Sequence, residues 1–169
     1  MSTTKTRSHP VGHLARQGLA HQGYHLSEAE LARYSWPLRF TPVVTGLRAL
    51  GAVVVGSTPW LLAVAAIAAV GAAFASAHPL DLVYNHALRR ILGGDALPEA
   101  PLARRGTYLV TAAFLLVAAV LFKMGALWPA YVVGALVVAE AGVVAFTGWS
   151  PVAWVYARFA QRGHGKAVA

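Results

Sequence analysis

The chain contains no cysteine. It therefore carries no disulfide, no thiolate metal ligand and no redox thiol, and cysteine use cannot report its compartment. Charge is scarce as well. Asp, Glu, Lys and Arg make up 12% of the 169 residues, against roughly 25% in a soluble domain. With half the usual share, the chain cannot coat a globule with charge. No nucleophile elbow, Walker loop, HExxH or haem-attachment motif occurs, so no enzyme is expected on motif grounds. The first 40 residues hold no apolar core of the length a secretory signal needs.

What the chain has is apolar sequence, in blocks. Hydrophobic residues make up 57%, and the mean hydropathy is +0.56. Residues 43–77 contain one charge, Arg48, and residues 107–149 contain two, Lys123 and Glu140. A spanning helix needs about 20 apolar residues. Each block is too long for one span and suits two joined by a tight turn. The turns are visible: Gly56-Ser57-Thr58-Pro59-Trp60 breaks the first block and Lys123-Met124-Gly125-Ala126-Leu127-Trp128-Pro129 the second. The pattern predicts an all-α integral membrane protein with spans near 42–57, 59–77, 106–124 and 129–148.

The net charge of +8 is distributed by position. Lys5, Arg7, Arg16, Arg33 and Arg39 precede the first span. Arg89, Arg90, Arg104 and Arg105 lie between the second and third, and Arg158, Arg162 and Lys166 come after the fourth. The two opposite turns hold only Lys123. Such asymmetry places both termini and the central loop in the cytoplasm. It makes anionic lipid the expected partner of the basic residues, and nucleic acid not.

An internal repeat organises the chain. "PLDLVYNHALRR" from Pro79 and "PVAWVYARFAQR" from Pro151 share Pro, Val-Tyr and the final Arg without a gap. Each comes after an apolar hairpin, so the chain reads as hairpin plus short helix, twice. Pro suits the first helical position, and Ser150 is a good N-cap. Leu80, Val83, Tyr84, Ala87, Leu88 and Ile91 recur at helical spacing. Asp81 early, Arg89 and Arg90 late, and Gly93-Gly94 behind them complete an interfacial amphipathic helix. The domain reading is a basic His-rich cytoplasmic tail with a short amphipathic helix over 1–40, repeat 1 with its interfacial helix over 41–94, a cytoplasmic loop over 95–105, repeat 2 with its helix over 106–162, and a tail over 163–169.

This duplication resembles a family of small bacterial membrane proteins, domain of unknown function 4395. The resemblance covers about residues 40–160. It rests on "STPWLLAVAAIAAVGAAFASAHPLDLVYNHALRRILG", "PEAPLARRGTYLVTAAF" and "VVAEAGVVAFTGWSPVAWVYARF". Many members carry Gly-aromatic-Cys-x-x-Cys after an acidic residue in the last span. Glu140, Gly148 and Trp149 match; Ser150 and Ala153 stand where the cysteines would be. The resemblance implies a bacterial membrane fold in which this chain lacks the thiol pair, and it implies no particular activity.

Few residues could carry chemistry. Arg48 and Glu140 are the deepest charges, each roughly 10–12 Å from the cytoplasmic end of its span at 1.5 Å per residue. Equal depth and opposite sign suggest an intramembrane ion pair. His78 and His86 could serve as ligands or as ordinary scaffold residues of the interfacial helix. Trp36, Arg39, Arg89, Arg90, Trp149, Trp154 and Arg158 are expected at lipid or partner interfaces. In the tail, His9, His13, His21 and His25 have helical spacing, but Gly12, Gly18 and Gly23 weaken a helix and no metal site is expected. Ser27 and Glu30 form a capping-box signature. Many Gly and Ala suit close helix packing.

The expectation is thus a non-catalytic accessory or scaffold subunit of a larger bacterial inner-membrane complex, respiratory or photosynthetic in type. Its partners are other membrane subunits and anionic lipids. The alternatives are a small transporter or channel using Glu140, and a cofactor-binding membrane protein using His78 or His86. No cofactor is predicted; lipid is, and a haem or pigment contact stays open.

Overall fold

A computed structural model describes residues 13–164. His9, the basic residues before position 13, Lys166 and the C-terminal residues from 165 lie outside the described residues. Every element among the described residues is helical. In chain order these are α1 His13–His21, α2 Glu28–Tyr34, a 3-10 turn Pro37–Arg39, α3 Phe40–Val55, α4 Thr58–Ala73, α5 Pro79–Val83, a π turn Tyr84–Leu88, α6 Arg89–Leu92, α7 Leu102–Lys123, α8 Leu127–Thr147 and α9 Pro151–His164.

Three helical stretches are long and apolar enough to cross a membrane: Pro37–Val55, Leu102–Lys123 and Leu127–Thr147. α4 is apolar but has 16 residues. It ends at Ala73, short of the limit expected from hydropathy, because Phe74 turns to extended backbone. α7 begins at Leu102, so Arg104 and Arg105, expected in a loop, lie in its first turn.

The turn signals act where the sequence puts them. Ser57 caps α4 through Trp60 N–H, with Pro59 in the first turn. Gly56 closes α3 in the left-handed region at φ 64°, which a side chain would resist. In the bundle α4 packs along α7, α3 along α8, and α7 against α8. Ala52, Leu61, Leu115, Ala118 and Ala130 are fully buried at these seams. Small residues set the approach: a Cβ on Gly134 would collide with the Val53 side chain.

A second, smaller core lies at one end of the bundle. Leu19, Tyr24, Leu31 and Leu38 from the N-terminal segment pack with Tyr84 and Leu97. The segment read as a tail is therefore, over its described part, built into the fold. α1 forms despite its glycine. Gly18 lies flush on the Gly148 backbone, where a Cβ would overlap, so packing outweighs the propensity cost of about 1 kcal/mol. The Ser27–Glu30 capping box forms as the signature implies.

The helix after Pro79 departs from one amphipathic face. The π turn at Tyr84–Leu88 inserts an extra residue and rotates the remainder of the helix, α6, relative to α5. Leu80 and Tyr84 are buried, whereas Val83 is 51% and Ile91 79% exposed.

Candidate functional site

The end of the bundle that carries the small core also collects buried polar groups. Thr41, His78, Asp81, Arg104, Thr107, Thr111 and Ser150 are buried, with Gln22 beside them. They come from segments far apart in sequence, so tertiary packing assembles them.

Arg104 is the centre. Residues 101–108 start α7 just inside the small core, so the Arg104 side chain points into the protein and is 4% exposed. Its Nε donates to Tyr108 Oη at 2.7 Å, one turn along α7. Nη1 donates to Tyr24 Oη at 3.1 Å and Nη2 to the Leu38 carbonyl at 3.2 Å. Both phenol rings also lie within cation–π range, 5.5 and 5.8 Å from the guanidinium carbon. A buried cation is costly unless satisfied, and here neutral oxygens and ring faces do it. Burial pushes the Tyr24 hydroxyl above its ordinary pKa, with Arg104 opposing. Its neighbour Arg105 points elsewhere: Nε and Nη2 donate to the Ala72 and Ala73 carbonyls at 2.9 and 2.7 Å. That caps the C-terminus of α4, where a cation suits the helix dipole.

His78 is 1% exposed and caps α5, its Nδ1 accepting from Leu80 N–H at 3.2 Å. The ring is thereby neutral, with its proton on Nε2. It packs on Tyr108, ring centroids 4.4 Å apart, and against Gly71, where a Cβ would overlap the ring. Desolvation pushes its pKa down to about 4; Asp81 raises it and Arg104 lowers it further. Asp81 accepts from Thr41 Oγ1, tying α5 to α3.

Glu140 belongs to the same end. Its Oε1 accepts from Ser150 Oγ at 2.9 Å. Ser150 Oγ also meets Thr107 Oγ1 at 3.3 Å and accepts from Ala153 N–H at 3.2 Å as the cap of α9. Gln22 Nε2 donates to the Gly148 carbonyl, pinning the N-terminal segment beneath α8. His78, Arg104, Thr107, Thr111, Glu140 and Ser150 line a cavity of about 40 Å³, above the roughly 10–15 Å³ that a water molecule needs.

The expected Arg48–Glu140 ion pair does not form. Among the described residues the ion pairs are Arg16–Glu28 and Arg33–Asp95. Arg48 is exposed. The reason is rotational. Gly46 faces α8, where its Cβ would lie 3.0 Å from Ala141; Arg48, two residues on, is turned away by about 200°. His86 is exposed, and its Nδ1–H donates to the Leu82 carbonyl at 2.9 Å. That leaves Nε2 outward, the arrangement a ligating histidine uses. His78, the other candidate ligand, is enclosed. No group of three or more His, Asp or Glu among the described residues could hold a metal ion.

Of the interface residues, Trp36 is 74% exposed. Arg90, Trp149 and Trp154 are exposed and Arg39 and Arg89 half-buried. The Arg158 guanidinium stacks 4.7 Å from the Trp154 ring. Sequence reasoning missed Tyr24, Thr41, Asp81, Arg104 and Tyr108 as one constellation. A signal existed in the four-residue spacing of Arg104 and Tyr108, which puts them on one helix face.

A search of curated proteins returns no match, and a search of solved structures returns none. A family model does match, over residues 36–162. The match runs from before α3 almost to the end of α9 and takes in every residue lining the small cavity except Gln22. The chain therefore belongs to the family described as domain of unknown function DUF4395.

Proposed function

We propose that this protein is a non-catalytic scaffold subunit of a larger bacterial membrane assembly, respiratory or photosynthetic in type, with other membrane subunits and anionic lipids as partners. One observation carries the reading. Among the described residues every buried side-chain nitrogen and oxygen has a hydrogen-bond partner, and those partners tie separate segments together: Arg104 to Tyr24 and Leu38, Gln22 to Gly148, Asp81 to Thr41. Polar groups spent on fixing a shape suit a scaffold.

The topology proposed is four spans, α3, α4, α7 and α8, in the inner membrane with both termini cytoplasmic. The hairpins α3–α4 and α7–α8 are related by a pseudo-twofold axis along the membrane normal. The cross-pairing of α4 with α7 and of α3 with α8 supports this. So does the equivalence of His78 and Ser150, each capping the helix after its hairpin and each lining the same cavity.

Purification from native membranes in mild detergent, with every copurifying chain identified, tests the function. Reproducible partners at fixed stoichiometry are expected. Recovery of the chain alone, at full yield and monomeric, refutes it. Single cysteines at Lys5→Cys and Gly165→Cys should label only from the cytoplasmic side; outside labelling of either refutes the topology.

A further inference from the structure

A second cavity lies on the outer face of Glu140. It is a groove of about 390 Å³ between α7 and α8, closed at one end by the start of α9. That volume falls within the roughly 300–1,000 Å³ of small-molecule sites. Val110, Phe114, Leu136, Val143 and Val152 make apolar walls, and the polar groups on its lining are Thr111 and Glu140. Leu136 is 53% and Val143 38% exposed, apolar residues of a membrane-crossing stretch, so the entrance opens to the hydrocarbon.

We propose that this groove binds a neutral membrane lipid whose head is a flat, oxygen-bearing ring of the quinone class, hydrogen-bonded by Glu140 and Thr111. Depth excludes charged heads. Glu140 stands about two turns before the end of α8 at Thr147, about 10 Å below that end. A phosphate or carboxylate there would lose its hydration and face a carboxyl group. An ammonium head is disfavoured from the other side, because the buried Arg104 lines the cavity behind Glu140. Length disfavours a two-chain lipid, since the lining runs over about one helical turn of α7, Val110 to Phe114, and about two of α8, Leu136 to Val143, roughly 6–10 Å of helix axis. A ring fits what remains. Phe114, 39% exposed, offers an aromatic face. Ser150 engages Glu140 Oε1, so Oε2 is the oxygen a ligand meets. A carboxyl and a hydroxyl on facing helices can donate to a ring carbonyl or accept from a ring hydroxyl. The inference is one of binding, and it is independent of the subunit reading because the isolated chain suffices to test it.

The full chain is reconstituted in phosphatidylcholine nanodiscs and titrated with decylubiquinone, read as quenching of tryptophan fluorescence; Trp149 and Trp154 flank the groove residues Pro151 and Val152. Saturable quenching is expected. Glu140→Leu, which removes both carboxyl oxygens at similar volume, should weaken it about three- to tenfold, the loss of one hydrogen bond. Val143→Phe, which fills the groove, should abolish saturation, and Ala139→Phe fills the same groove from an exposed position should the first variant fail to fold. Leu47→Phe, away from the groove on α3, should bind as the parent does. n-Decylamine and n-decanol should not displace the quinone at equal concentration. Non-saturable quenching overturns the proposal. So does parental affinity in both Glu140→Leu and a folded groove-filling variant, displacement by the alcohol, which would make the groove indifferent to a ring, or displacement by the amine, which would make Glu140 a site for cations.

Discussion

Replacing Arg104 with Ala is the sharpest perturbation of this fold. The side chain makes three hydrogen bonds, to Tyr108, Tyr24 and Leu38. A hydrogen bond from a charged donor contributes about 1.5–3 kcal/mol, which for three gives an upper bound well above any single-site loss commonly measured. Part is recovered. The two phenols can reorient, and water can enter from the adjoining cavity of about 40 Å³. The net expectation is a loss of about 3–5 kcal/mol, as for other broken buried charge sites. In a chain of this length that lowers the melting temperature by roughly 6–20 °C. The assay is thermal unfolding by circular dichroism in detergent, with limited proteolysis in parallel. Arg104 holds residues 24 and 38 onto α7, so cleavage near Tyr24 should appear before global unfolding. Arg104→Lys keeps the charge but not the fork, and should fall between parent and Ala. If Arg104→Ala unfolds within about 0.5 kcal/mol of the parent, the scatter of an ordinary surface change, Arg104 is not the keystone of this end.

The same geometry sets three further outcomes. Gly71→Ala places a Cβ inside the His78 ring and should destabilise by about 1–3 kcal/mol as overpacking does, despite the better helix former; a melting temperature at or above the parent's refutes that contact. His78 is neutral when folded, with its pKa down at about 4 against 6.5 unfolded. The unfolded chain therefore binds more protons between those values, so stability is full above about pH 6.5 and falls as pH drops towards 4, by about 2–3 kcal/mol. His78→Asn keeps a capping oxygen and should flatten that slope in pH-dependent unfolding; an unchanged slope assigns it to other groups. His86→Arg changes an exposed residue and should leave folding and membrane insertion within about 0.5 kcal/mol of the parent; loss of an optical cofactor signal with assembly intact would overturn the scaffold reading in favour of a ligand role for Nε2.

Local signals in the sequence carried the helical architecture. Hydropathy blocks of a given length become helices because the backbone must bond to itself wherever water is absent. The breaks at Gly56 to Pro59 and at Gly125, the capping box at Ser27 and Glu30, and the starts at Pro79 and Pro151 act within one turn of chain. They are legible for that reason. The polar constellation was not, because beyond the four-residue spacing of Arg104 and Tyr108 its members lie on separate segments with nothing short-range to link them. Arg104 and Arg105 look alike in sequence as loop charges, yet one is enclosed by two tyrosines and the other caps α4. Depth along a span can be counted from its ends; rotation about its axis cannot. That rotation is settled by which small residues meet, Gly46 against Ala141 and Gly134 against Val53. It turned Arg48 away from Glu140 and left Glu140 to Ser150. Hydropathy reports how deep a residue sits, and only close packing decides which neighbour it faces.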